Sequence, residues 1–397
     1  MLNFSRVDFD KIISLNPQQN IETQWPLVKL GDEIETIETG NRPEGGVENI
    51  SGGAWSLGGE HIHPTTGMVN LSTPKYVPLD FYHGSSRGIL QENDILLCKD
   101  GALTGKIALL REELNNEKAM VNEHVFLLRC VSRLKQLYIF YFLFSENGQN
   151  LLKQNVTGSA QGGINSTNLK EIKIPLPSIQ IQQRISDECE AIDQEADQAR
   201  QTITNSKQRI EEVVSSVGKT SMLNEIVDRV SDIINPKEEN GSVYYVGLEN
   251  IESQTGALQG NPQSDFSMIK SNKNVFRKGD ILYGKLRPNL NKVHLAQGDG
   301  ICSTDILVFR PYNPNLATFY KYYFLSEGFN SEVIKTVSGQ QFPRTSWEKI
   351  NRILVPSLDI PQRLSVQVEQ LEAKITQAQT VIDNATERKN AILAKYL

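Results

Sequence analysis

Two stretches of the chain place seam residues at alternating steps of four and three. The first runs Ile185, Cys189, Ile192, Ala196, Ala199, Ile203, Ser206, Ile210, Val213, Val217. The second runs Leu364, Val368, Leu371, Ile375, Ala378, Ile382, Ala385, Lys389, Ile392, Tyr396. This spacing is the a/d seam of a coiled coil. It predicts helices over 185–217 and 364–396, each about 50 Å long at 1.5 Å per residue. An ordinary core helix carries a wider apolar stripe and averages about 11–12 residues. Adding 179 to each position of the first seam gives the matching position of the second. Ile185, Ile192, Ile203 and Ile210 are therefore expected to pair with the other helix through Leu364, Leu371, Ile375 and Ile382. Polar Ser206 and Lys389 interrupt the apolar runs, a usual way of fixing register.

The rest of the chain alternates short apolar runs with Gly, Pro, Asn and Ser, the pattern of strands and turns. WPLVKLGDEIETIETGNRP reads as a short helix or strand followed by a loop. AWSLGGEHI, KYVPL, NDILLCK, KIALL and EHVFLLRCV are strand candidates. KQLYIFYFLFSENGQNLLKQ is long and aromatic enough for a helix against them, and EIKIPLP closes the set before the first seam. After Gly218 the order recurs. GLENI (247–251) answers GVENI (46–50), GDILYGK answers NDILLCK, and STDILVFRP answers NEHVFLLRC. Ser-Glu occurs at 145–146 and 326–327, and Gln-Arg at 183–184 and 362–363. The expected fold is α+β and pseudo-two-fold: two similar strand-rich globular domains joined by two long antiparallel coiled-coil helices. The expected boundaries are 1–178, 179–218, 219–357 and 358–397; residues 1–24 are polar and unassigned.

Composition narrows the classes. The 397 residues carry 39% hydrophobic and 22% charged side chains, as in soluble globular proteins. There is no apolar run of about 18 residues to span a membrane. MLNFSRVDFDK lacks the basic patch and apolar core of a secretory signal. Cys98, Cys130, Cys189 and Cys302 show no metal or redox spacing. A cytoplasmic protein is expected. The net charge of −6 is uneven: residues 1–178 hold 16 basic and 20 acidic side chains, residues 219–357 hold 16 and 14. No part is strongly basic, so partner subunits are expected to share any phosphate contacts.

Catalytic signatures are missing. NPQQN and NPNLAT lack the aromatic and the second proline of an amino-methyltransferase motif. GALTGKI (101–107) is one residue short of a phosphate loop and has Ile107 where Ser or Thr would bind magnesium. His61 and His63 have no third metal ligand at a recognisable spacing and read as a surface or DNA-facing pair.

With two heads in series with long helices, the chain resembles the specificity subunit of a Type I restriction-modification system. The resemblance runs from about Trp25 to the end. It rests on the order of domains and rods, on IPLPSIQIQQRI and LVPSLDIPQRL leading into the rods, and on NDILLCKDGALTGKIALL and GDILYGKLRPNLNKVHLA. It implies two target-recognition domains, each reading half of a bipartite duplex DNA target, with the rods setting the gap. It also implies docking of two modification (methyltransferase) subunits bringing S-adenosylmethionine, and of restriction subunits bringing ATP and Mg chemistry. The chain itself would be non-catalytic, with no cofactor of its own. A coiled-coil scaffold binding two protein ligands is the alternative.

Base edges are read by Arg and Lys to guanine and by Asn and Gln to adenine, while backbone amides hold phosphates. The loops rich in such donors nominate Arg42, Arg87, Lys99, Lys106, Gln161 and Asn165 in the first half. In the second half they nominate Lys285, Arg287, Gln340, Gln341 and Arg344. The Gly-Gln segments before each rod, at 158–161 and 339–341, are the leading pair.

Overall fold

A computed structural model describes residues 23–48, 50–157, 162–339 and 341–397. The chain divides into two compact units. One holds the described residues up to Asp197 together with Val381–Leu397, the other Gln198–Thr380. Each long helix, Ile179–Ser215 and Gln362–Tyr396, gives one part to each unit. These helices are a few residues longer than the seams alone predict, because the chain is already helical before the first seam residue.

The first unit is built on a four-stranded antiparallel sheet ordered Ile34–Thr39, Val125–Cys130, Ile95–Cys98, Ile107–Leu109. A second sheet sets Ala54–Leu57 antiparallel to Tyr76–Val77 and parallel to Ala119–Val121. A ribbon pairs Leu27–Lys29 with Lys173–Pro175, the strand that leads into the long helix. Ile95–Cys98 and Ile107–Leu109 are buried throughout. Near-continuous apolar runs are what a strand covered on both faces requires. One face packs on Tyr138, Phe140, Phe142 and Leu152; Leu96, Cys98 and Ala108 face the second sheet.

The other unit repeats the plan. Its four-stranded sheet runs Val227–Val230, Ile306–Pro311, Ile281–Gly284, Val293–Leu295. Ser242–Val246 again has one antiparallel neighbour, Gln263–Asp265, and one parallel neighbour, Gly300–Cys302. Lys219–Met222 pairs with Leu354–Pro356 before the second long helix. A bidentate ion pair recurs with the sheet: Arg129 grips Asp94 at 2.7 and 2.6 Å, and Arg310 grips Asp280 at 2.8 and 2.7 Å. Both carboxylates are nearly solvent-free, so the fork geometry satisfies charges that burial would otherwise penalise.

Three sequence expectations need correction. The aromatic segment forms two helices, Arg133–Phe144 and Glu146–Gln154, because Ser145 leaves the helical region and caps the second with its hydroxyl, 3.2 Å from the Gly148 amide. Ser326 does the same at Phe329, 3.3 Å. GLENI corresponds to GGEHI (58–62), not to GVENI. Gly58 N donates to His61 Nδ1 at 2.9 Å as Gly247 N donates to Asn250 Oδ1 at 2.8 Å. The bridges Ile62–Val69 and Ile251–Leu258 follow, closed by Gly67 and Gly256 at φ +70°. A Cβ on Gly256 would lie 1.8 Å from the Val293 carbonyl oxygen, so only glycine fits that turn. Lastly, His61 is fully buried, not surface-facing. With Nδ1 accepting from Gly58, its Nε2 donates to the Thr73 carbonyl at 2.9 Å, and burial lowers its pKa. It is a neutral turn-former.

The four cysteines are free and buried. Burial pushes Cys98 up to about 11 and Cys130, Cys189 and Cys302 up to about 12, leaving them small unreactive hydrophobes. No helix among the described residues is long and apolar enough to cross a membrane.

Candidate nucleic-acid interface

Each unit docks two loops against one another. In the first, the turn after Ile95–Cys98 meets the segment before the short helix Ser166–Glu171: Ile164 N donates to the Lys99 carbonyl at 2.8 Å, and Thr157 and Gly163 close a bridge. In the second, Thr345 N donates to the Lys285 carbonyl at 3.0 Å and Arg287 N to the Pro343 carbonyl at 2.7 Å. Arg344 bridges both Leu286 and Ser338. Most of the nominated donors thus gather from distant sequence onto one loop pair per unit.

Around the first pair, exposed polar groups form a chain. Arg87 donates to Asn41 Oδ1 at 3.0 Å, and Arg42 Nε lies 2.9 Å from Glu123. His124 contacts Glu123 at 3.4 Å and Asp100 at 2.6 Å, and Lys99 Nζ stands 4.0 Å from Asp100. Exposed pairs of this kind contribute about 0–1 kcal/mol, so a phosphate can displace a carboxylate at little cost. Asn165 uses its side-chain oxygen to cap the helix Ser166–Glu171, accepting from Asn168 N at 2.7 Å. Lys106 lies away from this group, half-buried beside Glu146, Gln149 and Asn390 in a cleft of about 450 Å³. Its segment, GALTGKI, is a hairpin turn running into the strand Ile107–Leu109 and not a phosphate loop leading to a helix.

In the second unit Arg344 reaches Asp305 at 3.4 Å, the position that His124 takes in the first: Asn122 and Ser303 brace the following turn alike. Arg287 and Gln341 are exposed and Lys285 is half-buried. Arg287 adopts the left-handed conformation, φ 49°, which is uncommon outside glycine and marks a backbone held by its surroundings. Gln161 and Gln340 lie outside the described residues.

The family model described as "Type I restriction modification DNA specificity domain" matches residues 25–212. Residues 25–212 are therefore similar to this specificity domain. The match covers the first set of sheets and most of the first long helix. Among curated relatives, the Type I restriction enzyme EcoDI specificity subunit of Escherichia coli is 29% identical over 178 residues, 43% of this chain and 39% of its own length. The MjaVIII specificity subunit of Methanocaldococcus jannaschii is 26% identical over 178 residues, 44% and 40% of the two chains. The chain therefore spans about two fifths of the length of the curated relatives it matches. The fold likeness is wider. A Type I restriction-modification S subunit from M. genitalium superposes with a TM-score of 0.56 at 15% identity, covering 95% of this chain and 97% of that one.

The specificity domain is also clasped to its long helix through a group absent from the nominated residues. Asp193 receives Tyr141 Oη at 2.8 Å, Lys389 Nζ at 2.8 Å and Arg111 at 2.5 Å. Burial pushes the Asp193 carboxyl up, but Lys389 and Arg111 outweigh it and hold it below its usual range. Burial and the neighbouring carboxylate raise Tyr141, so it stays protonated and donates. Adding the seam offset of 179 to Asp193 gives Glu372, which in the other unit takes Lys321 at 2.7 Å and bonds Tyr322. The expected pairing residues divide likewise. Ile185 packs in the first core with Leu393, and Ile192 with Ala385 and Ile392. Ile210 shares the second core with Leu364, Leu371 and Ile375. Ile203 and Ile382 are half-buried. Ion pairs Glu188–Lys395, Asp193–Lys389 and Glu195–Arg388 run in opposite sequence directions, as antiparallel helices require.

Proposed function

We propose that the chain is the DNA sequence-specificity subunit of a Type I restriction-modification complex. The supporting observation is the specificity-domain match over 25–212 followed by a second unit with the same sheet order and the same loop pair. In this reading 1–178 and 219–357 are two recognition domains, each contacting one half of a bipartite duplex target. Segments 179–218 and 358–397 are the spacer. The loop pairs supply the contacts, with Arg side chains suited to guanine O6 and N7 and Gln to adenine. The subunit is non-catalytic and cytoplasmic. Two modification subunits dock on it and supply S-adenosylmethionine; restriction subunits supply the ATP- and Mg-dependent steps. The chain's own negative charge fits a division of labour in which those partners carry much of the phosphate attraction.

Replacing Arg344 and Gln341 together by alanine is expected to weaken contact at one half-site only, by about 1–3 kcal/mol per lost bidentate contact. Footprinting of the assembled complex reads this directly, and equal weakening at both half-sites would contradict it. A scaffold for two protein ligands would instead show no salt-dependent duplex binding even with partners present.

A further inference from the structure

The two loop pairs differ in chemistry where they agree in geometry. Between the bridge partners Thr157 and Gly163 the first unit has Gly-Ser-Ala-Gln-Gly. Between Ser338 and Arg344 the second has Gly-Gln-Gln-Phe-Pro. Facing these, the first unit offers Lys99-Asp100-Gly101 and the second Lys285-Leu286-Arg287. The second loop pair therefore carries an aromatic residue and two additional arginines.

Phe342 is 59% exposed. Other large apolar side chains are exposed singly, among them Met268 and Ile233, and such residues need no explanation. Phe342 differs in its setting. Its loop is braced by Arg287 N on the Pro343 carbonyl, by the two Arg344 bridges, and by Lys349 Nζ on Ser338 Oγ at 2.6 Å. Gly339, at φ +99°, allows the sharp entry. The Phe342 ring thus lies outside the core, on a loop pair that also carries Lys285, Arg287, Arg344 and Lys349. Asp305 and Glu348 are the nearby acids, and Glu348 is engaged by Arg229 at 3.5 Å. An exposed aromatic ring on a loop pair rich in cations suits a nucleic acid, whose phosphates meet the cations while the ring meets a base face. A protein partner would need a complementary acidic, apolar surface.

We propose that Phe342 is a stacking wedge for duplex DNA: it enters at one base step of the half-site contacted by the second unit and unstacks it, while Lys285 and Lys349 meet the flanking phosphates. By sequence the first unit carries Gln161 where the second carries Phe342, so the two half-sites are read by different physical means. This inference rests on the specificity-subunit reading above.

The test uses the full chain assembled with its modification subunits and duplexes carrying its methylome-defined target, with 2-aminopurine placed in turn at each position of both half-sites. The wild-type complex should raise the fluorescence at one step, in one half-site only. Phe342→Ala should abolish that rise and weaken target binding by about tenfold or more, and Phe342→Trp should restore both. Binding to unrelated duplex should stay unchanged. An alanine variant that binds the target like wild type, or keeps the fluorescent step, overturns the wedge while leaving the specificity reading intact. Failure of that variant to assemble with the modification subunits overturns it in favour of a protein contact. A wild-type complex with no preference for any target over unrelated duplex overturns both.

Discussion

Replacing Lys389 by alanine is expected to destabilise the protein by about 3–5 kcal/mol, the cost of breaking a buried pair by removing one partner. The Lys389 side chain is 4% exposed and that of Asp193 13%. The ammonium also stands 4.6 Å from the Phe144 ring centroid. Alanine would leave the carboxylate short of a partner and remove the stem that fills the seam beside Phe144. Methionine keeps the stem and should cost less. The neighbouring Arg388–Glu195 pair is half-exposed on both sides, so Arg388→Ala should cost under about 1 kcal/mol. Denaturant midpoints of the three variants check the ranking; a Lys389→Ala shift no larger than that of Arg388→Ala would contradict it. The sign with pH follows from Asp193. Its folded-state pKa is depressed, so its contribution is present above the unfolded value of about 3.9 and is lost as pH falls through the folded value. Asp193→Asn should remove that part of the acid-induced loss.

Adding a heptad to both long helices should lengthen the gap between the half-sites and leave the bases read unchanged. Seven residues add about 10.5 Å of helix, the rise of roughly three base pairs at 3.4 Å each. The additions belong after Asp197 and after Thr380, where the compact units divide, so that Asp193 and Glu372 keep their clasps. A whole heptad preserves the seam, whereas four added residues would rotate it and expose apolar positions. Mapping methylated sites in a host carrying the lengthened chain provides the readout. An unchanged gap with altered bases would show that the helices take part in reading and do not act as the spacer.

The helices were legible because a four-three spacing sustained over 33 residues has few other physical solutions. The strands Ile95–Cys98 and Ile281–Gly284 were legible because both their faces are covered, which leaves the apolar runs ILLC and ILYG. The break at Ser145 falls where the aromatic run 138–144 meets the polar stretch 146–150. Its signal was the Ser-Glu pair, visible as a repeat and read only as one, though a serine followed by an acidic first turn is a capping pattern. The match of GLENI to GVENI shows how residue identity misleads when the conserved feature is a side-chain acceptor for a backbone amide, a role that His61 and Asn250 fill equally. Asp193 and Glu372 flank the seam at the same offset of 179 and could have been paired from sequence. Lys389 lies on the other long helix, but Tyr141, Arg111, Lys321 and Tyr322 come from the heads, and spacing along a helix cannot reach those. The loop pairs were nominated piecemeal for their donors; only tertiary structure brings Lys285 and Arg344, or Lys99 and Ile164, side by side.

Methylome sequencing of a host carrying this chain with its modification subunit most directly tests the claim that one polypeptide reads two separated patches of duplex. The account predicts a new methylated motif in two defined parts with a fixed, base-independent gap, lost when the chain is deleted. A continuous motif, or a methylation pattern indifferent to the chain, would contradict it.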